Sequence, residues 1–442
     1  MSTHLGGSDA AAAEPVTDDE LVGYFEAGAK PRGEWKIGAE FEKFLLDRDT
    51  GRQIGFSEPG GAADVLPKLA ERFGWEKHFD GEHLVALSRD GATVSVEPGG
   101  QIEFSTPPLK SLAELGAELF RHRDELLAVI RPHVAVAALG VTPFSLVNDI
   151  PFGPRPRHLI MAEYLPQRCR TAHQMMKATA STQVTFDYSD ESDAARKMAV
   201  ALTLNPVVNA IWGNGGVTGG TGCEWASRRG QVWLGMDPDR SGLLPNLLAR
   251  GVSFRAWSDY LLDVPMFFHC RDGAYTSAGG RTFRDFLAHG IDGEFPTRAD
   301  WELHISTVFP EVRLKQFLEV RGADANPPAL ALAVPAFWKG LLYNDTALSA
   351  AEDVAKRFPP EELPALFEAA ARDGLAATFG GHSVREWATE LAAIATGGLH
   401  ADGEGAYLDP VFAVLNAGVS PGGAWRARGA VTVAEVLAAS GY

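Results

Sequence analysis

Two glutamates one residue apart, Glu40 and Glu42, sit in the segment Lys36-Ile37-Gly38-Ala39-Glu40-Phe41-Glu42-Lys43-Phe44, with turn formers on either side (Pro31 and Gly33 before, Asp47 to Gly51 after). Recurring apolar and aromatic residues make the segment a strand. On a strand, positions i and i+2 point the same way, so the two carboxylates share a face and Phe41 takes the other. Like charges that close repel. A divalent cation removes the penalty, and oxygen ligands on a rigid strand suit Mg²⁺, which is held by a few carboxylates plus phosphate oxygens. An exposed edge strand carrying two solvated acids fits the same segment.

Four further stretches carry groups of the same chemical type. Glu97 and Glu103 stand on the two arms of a turn, Pro98-Gly99-Gly100, whose glycines admit positive φ and a close ligand. Gln183, Thr185 and Asp187 share one face of a strand, with Val184 and Phe186 on the other. Glu319 and Arg321 are again i, i+2, a metal-binding acid beside a fork for phosphate. Arg228 and Arg229 lie between Trp225 and Trp233, a setting suited to carboxylate or phosphate capture. Each stretch also has a plain reading: surface acids on a hairpin, a half-exposed strand, a simple ion pair, arginines stacked on aromatics. No GxxxxGK[ST], GxGxxG or HExxH occurs. The one Gly-x-Ser-x-Gly match, Gly418 to Gly422, has Pro421 after its serine and so lacks the backbone N–H that a nucleophile elbow needs. Several acidic strand pairs, a glutamine strand and scattered arginines together describe a multi-Mg²⁺ phosphate site on an antiparallel sheet.

The elements that must position these groups follow from pattern. Thr17 and Glu20 form a capping box that opens a first helix, after a stretch over residues 1–15 whose composition predicts disorder. Residues 62–73 read as an amphipathic helix. A β-meander with tight Gly turns runs from Leu84 to Ser105. A helix over 111–131, strands over 134–139 and 179–188, and an apolar helix over 193–212 come next. Shorter helices are expected over 158–165, 254–262, 281–288 and 298–307, and the stretch 351–396 is mostly helical. No repeat or linker divides the chain. The expectation is an α+β fold, an antiparallel sheet with helices around it and a helical C-terminal third, with residues 16–442 as a single domain.

Bulk composition narrows the partners. With 40 basic against 57 acidic residues the net charge is −17, which disfavours nucleic acid and anionic membrane surfaces. No run of about 18 apolar residues predicts a membrane span. The three cysteines, Cys169, Cys223 and Cys270, are far apart and odd in number, and the first residues lack a signal-peptide pattern. Those features lead to the expectation of a reduced, cytoplasmic protein.

The motifs also carry a resemblance. Ile37 to Phe44, Glu97 to Ser105, Thr182-Gln183-Val184, Asp237 to Gly242, Asp263 to Phe267, Phe309 to Lys315, Glu319 to Asp324 and Pro335 to Tyr343 run in order and resemble the glutamate–cysteine ligases of the plant and proteobacterial type. The resemblance implies a glutamine-synthetase-like catalytic sheet and the first step of glutathione synthesis, in which ATP, L-glutamate and L-cysteine give γ-glutamylcysteine, ADP and phosphate. It implies two or more Mg²⁺ ions at Glu40, Glu42, Glu97, Glu103 and Glu319. Glu42, Glu103 and Arg321 fall at catalytic positions, Arg321 and Glu319 at the ATP phosphates, and Arg229, Gln183 and Thr185 beside the substrate. Small molecules are the expected partners of a monomer or homodimer. A ligase with another amine acceptor, one serving another thiol pathway such as ergothioneine, and an inactive nucleotide- or glutamate-binding homologue share these motifs. Five retained acids speak against the last.

Overall fold

The computed structural model describes residues 15–426 and 428–442, so the stretch expected to be disordered lies, apart from Pro15, outside the described residues. Nine strands among these residues form one antiparallel sheet: β1 (Ile37–Asp47), β2 (Glu76–Asp80), β3 (His83–Arg89), β4 (Ala92–Val96), β5 (Ile102–Ser105), β6 (Val134–Ala137), β7 (Ser181–Phe186), β8 (Val312–Leu314) and β9 (Leu318–Asp324). The order across the sheet is β8-β9-β7-β1-β5-β4-β3-β2, and β6 pairs with the C-terminal half of β1.

β1 is therefore central. It pairs with β5 on one side and β7 on the other, and it is buried from Ile37 to Leu46. The solvated-edge reading of Glu40 and Glu42 does not hold. Alternation sends Phe41, Val184, Val320 and Phe104 to the apolar face, where they join the main core. The helices include α1 (Ala172–Ala178), α2 (Glu191–Trp212), α3 (Arg228–Leu234), α4 (Pro328–Leu342) and α5 (Val384–Leu399). α4 packs against β7 and β1, and α2 packs against β8 and β9. The opposite face of the sheet is left to the carboxylates. Gly322 allows the close approach of α2, because a Cβ there would stand 2.2 Å from the Asn205 side chain.

The pattern-based elements form close to the expected bounds. Thr17 and Glu20 make a complete capping box ahead of the helix Asp18–Glu26. The C-terminal third is helical, with Asp345–Ala355, Leu363–Asp373 and α5 as its main members. β2 escapes sequence reading: Glu76-Lys77-His78-Phe79-Asp80 is polar and mostly exposed at the sheet edge, so it lacks an apolar face to announce it. Asp187 leaves the face shared by Gln183 and Thr185. It follows the end of β7, where its carboxylate accepts hydrogen bonds from Lys30 Nζ at 2.6 Å and the Lys36 amide at 2.8 Å. All three cysteines are free thiols, and no helix among the described residues is long and apolar enough to cross a membrane.

Candidate active site

Register brings the carboxylates of distant segments into rows. Glu42 of β1 lies directly opposite Glu103 of β5, which in turn faces Ser95 of β4. Glu40 lies opposite Gln183 of β7 on one side and Ser105 of β5 on the other. Glu97 follows the end of β4, held at the Pro98-Gly99-Gly100 turn by two bonds: its amide donates to the Gln101 carbonyl and its carbonyl accepts from Gly100, both at 2.9 Å. The turn depends on its glycines: Gly100 has φ +86°, and a Cβ on Gly99 would stand 2.3 Å from the Lys177 carbonyl oxygen.

Burial sets the electrostatics. Glu40, Glu42 and Glu97 are under a tenth exposed and Glu103 is fully enclosed. Glu42 accepts from the Ser181 amide at 2.7 Å and from Gln183 Nε2 at 3.1 Å, and Glu103 accepts from Ser95 Oγ at 3.1 Å. Loss of water pushes Glu40 and Glu103 up to about 7, and neighbouring carboxylates push the same way: Glu103 and Glu319 on Glu40, Glu97 and Glu42 on Glu103. Glu97 is raised as well, first by burial and then by Glu42.

Glu319 has the opposite surroundings. Burial would raise its pKa, but Arg313, Lys315 and Arg321 hold it well below the usual carboxylate range. Arg313 Nη2 lies 2.6 Å from Glu319 Oε2, Arg321 Nη1 donates to the same oxygen at 3.1 Å, and Lys315 Nζ lies 3.4 Å from Oε1. Arg321 also donates to Gln183 Oε1, which links this cluster to Glu42 through the glutamine amide.

Arg229 is placed by the start of α3, where Ser227 caps the helix and accepts from the Gly230 amide. Its Nη2 donates to the Arg321 carbonyl at 2.9 Å, and its guanidinium lies 3.9 Å from Asp324 and over the Trp233 ring. Arg229, Arg321, Gln183, Glu42 and Glu97 line one cleft, whose apolar walls are Met175 and Met176 of α1, Trp233 and Phe309. Thr185 is placed apart from that cleft. It lies opposite Gly38 and Glu319, one row along β7 from Gln183.

Four cations near the carboxylates escape residue-by-residue reading. Arg313 and Lys315 reach Glu319, and Arg155 and Arg157, almost fully buried, act electrostatically on Glu97. Arg313 and Lys315 have the i, i+2 spacing that picked out Glu319 and Arg321, so that signal was available. Arg155 and Arg157 flank Pro156 where a helix begins, and no local pattern marks them as buried.

The donor set fits Mg²⁺ chemistry. Among the described residues no three acidic, histidine or cysteine side chains already converge as a metal cage. Mg²⁺ needs no such cage, because it takes one or two carboxylates and fills its octahedron with water and phosphate oxygens. Oxygen-only side chains, buried and mutually repelling along Glu40, Glu42, Glu97 and Glu103, provide that partial set.

Comparison with known proteins gives a consistent answer. The model of Glutamate-cysteine ligase family 2 matches residues 36–436. A chloroplastic glutamate–cysteine ligase A of Oryza sativa subsp. indica is 37% identical over 92% of this chain and 84% of its own length. The chloroplastic enzyme of Brassica juncea is 36% identical over 93% of this chain and 80% of its own. A glutamate–cysteine ligase from Francisella tularensis, solved in complex with AMP, shares the fold with TM-score 0.56 at 13% identity, covering 92% of this chain and 87% of that one. The expected cytoplasmic location is corrected by these plant relatives, which are named as chloroplastic. Unpaired cysteines report a reducing environment and not which compartment supplies it, and the composition of the first residues carried no further information. Matched over most of its length by the family model, and sharing over a third of its residues with enzymes of that name, the chain belongs to Glutamate-cysteine ligase family 2.

Proposed function

We propose that this chain joins the γ-carboxylate of L-glutamate to the amine of L-cysteine, using ATP and Mg²⁺, with residues 16–442 acting as one catalytic unit. The observation that carries the reading is the buried row Glu42–Glu103, flanked by Glu40 and Glu97, beside an arginine-lined cleft. Glu40, Glu42, Glu97 and Glu103 are the residues to hold Mg²⁺, and Glu319 contributes a carboxylate whose charge Arg313, Lys315 and Arg321 already share. When bound, Mg²⁺ offsets the charge between the ATP phosphates and the attacking carboxylate.

The chain's own residues position and insulate the reaction. Arg321 presents its guanidinium to the γ-phosphate while Gln183 and Glu319 anchor its Nη1. Arg229, fixed by β9 carbonyls, holds the substrate carboxylate from the cleft side. A γ-carboxylate oxygen attacks the γ-phosphorus and the bond to ADP breaks, giving γ-glutamyl phosphate. The cysteine amine then attacks the acyl carbon, phosphate leaves and the amine loses a proton. No covalent bond to the protein forms. The acyl phosphate must be kept from water, and Met175, Met176, Trp233 and Phe309 supply a dry wall. Purified protein with ATP, Mg²⁺, glutamate and cysteine should yield γ-glutamylcysteine by mass spectrometry with matching ADP release. Absence of that product at every cysteine concentration ends the reading.

A further inference from the structure

A second cavity, of about 530 Å³, lies beside the carboxylate cleft and is distinct from it. The two share walls. α1 supplies Met175 and Met176 to the cleft and His173 and Gln174 to the second cavity. The arginine pair at the start of α3 is split: Arg229 faces the cleft and Arg228 the second cavity. Arg170 joins Arg228 there.

The lining is unusual for this chain. It has two arginines and a histidine and no aspartate or glutamate, although acids outnumber bases 57 to 40 overall. Nearby Arg168 pairs with Asp237 and Asp239, so arginines of this region find acids where the fold supplies them. Arg170 and Arg228 make no ion pair among the described residues. His173 Nε2 is engaged with the Ala162 carbonyl at 3.0 Å, which fixes the ring in place.

Two guanidinium forks with no counter-ion are built for carboxylate or phosphate oxygens. The volume falls in the range of small-molecule pockets and exceeds what a bare inorganic ion fills. We propose that this cavity is a second binding site, for a small organic anion with at least two negatively charged oxygens, held by Arg170 and Arg228.

The test is isothermal titration of the full chain with citrate in one arm and 3-phosphoglycerate in the other. Glutamate, Mg²⁺ and a non-hydrolysable ATP analogue are present at saturation, to keep the probes out of the catalytic cleft. One or both probes should bind, and the tighter arm tells whether the natural anion is a polycarboxylate or a phosphate ester. The double change Arg170→Ala with Arg228→Ala should weaken binding at least tenfold and leave turnover without the probe unchanged. Both side chains reach solvent, so the fold should survive, as a thermal melt will check. Failure of the wild-type chain to bind either probe overturns the proposal, as does equal binding by wild type and the double variant.

Discussion

At the β1–β5 end of the carboxylate face, buried acids face one another; at the β8–β9 end, an equally buried acid faces three cations. Glu40 and Glu103 are pushed up to about 7 by burial and by neighbouring carboxylates. Glu319, just as enclosed, is held far down by Arg313, Lys315 and Arg321. One sheet thus carries two opposite solutions to a buried charge. At the cation-rich end the acid is fully paired within the protein and an excess of positive charge remains. The acid-rich end is under electrostatic tension that an added cation relieves, which is the state expected of a metal-binding surface before loading.

The comparison is broken most decisively by removing one charge at each end. Glu103→Gln keeps shape and takes away a ligand charge, and turnover should fall by roughly 100-fold or more, the scale of removing one key electrostatic group from a phosphoryl-transfer site. Its stability should be unchanged or higher, because repulsion with Glu42 and Glu97 is relieved. Near-normal turnover in both Glu103→Gln and Glu42→Gln would show that the acid-rich row is not catalytic.

At the other end the sign of the stability effect reverses. Glu319→Gln leaves Arg313, Lys315 and Arg321 facing one another in a buried site. It should cost about 3–5 kcal/mol, as breaking a buried ion pair does. Urea denaturation of Glu319→Gln and Glu103→Gln side by side checks this, and equal stabilities would erase the distinction between the two ends.

A smaller effect sharpens the role of the arginine that joins them. Arg321→Lys keeps charge but loses the planar guanidinium, whose Nη1 donates to both Gln183 and Glu319. The expected loss is about 1.5–3 kcal/mol of transition-state binding, seen mainly as a higher KM for ATP. Steady-state kinetics with ATP and glutamate varied separately decide it. A rise confined to the KM for glutamate would make Arg321 a substrate clamp.

The smallest effect is a pH dependence. Glu40 and Glu103 bind protons more tightly folded, near 7, than unfolded, near 4.5, so their contribution to stability is full below the unfolded value and is lost as pH rises through the folded one. Glu319 has the opposite sign, but its low folded value keeps its transition under this window. Without Mg²⁺ the melting temperature should fall by a few degrees between pH 5.5 and pH 8. Millimolar Mg²⁺ at pH 8 should restore it. A melting temperature indifferent to Mg²⁺ at pH 8 would mean that the acid-rich end holds no cation in the free protein.

Much of this face was legible in the chain because strand alternation is local. Glu40 with Glu42, and Glu319 with Arg321, share faces for no reason beyond the i, i+2 rule, and Gly99 and Gly100 announce the turn between Glu97 and Glu103. Arg155 and Arg157 were not legible, since nothing beside Pro156 says that this helix start is buried near Glu97. Asp187 was misplaced for a related reason: alternation carries a residue to a face only while the strand lasts, and β7 ends at Phe186.

The sequence by itself determined which side chains share a face, where the turns fall, and the family to which the motifs belong. The tertiary structure alone decided which acid meets which charge. Glu42 faces Glu103 across 61 residues of chain because of the β1–β5 register. Glu319 meets Arg313 through the β8–β9 hairpin. Arg228 and Arg229, neighbours in sequence, part into two cavities because successive residues on a helix point in different directions from its axis. Alternation and periodicity are properties of a few consecutive residues. Register and helix placement come from packing the whole core, so the sign of the field at each carboxylate is set only when the chain has folded.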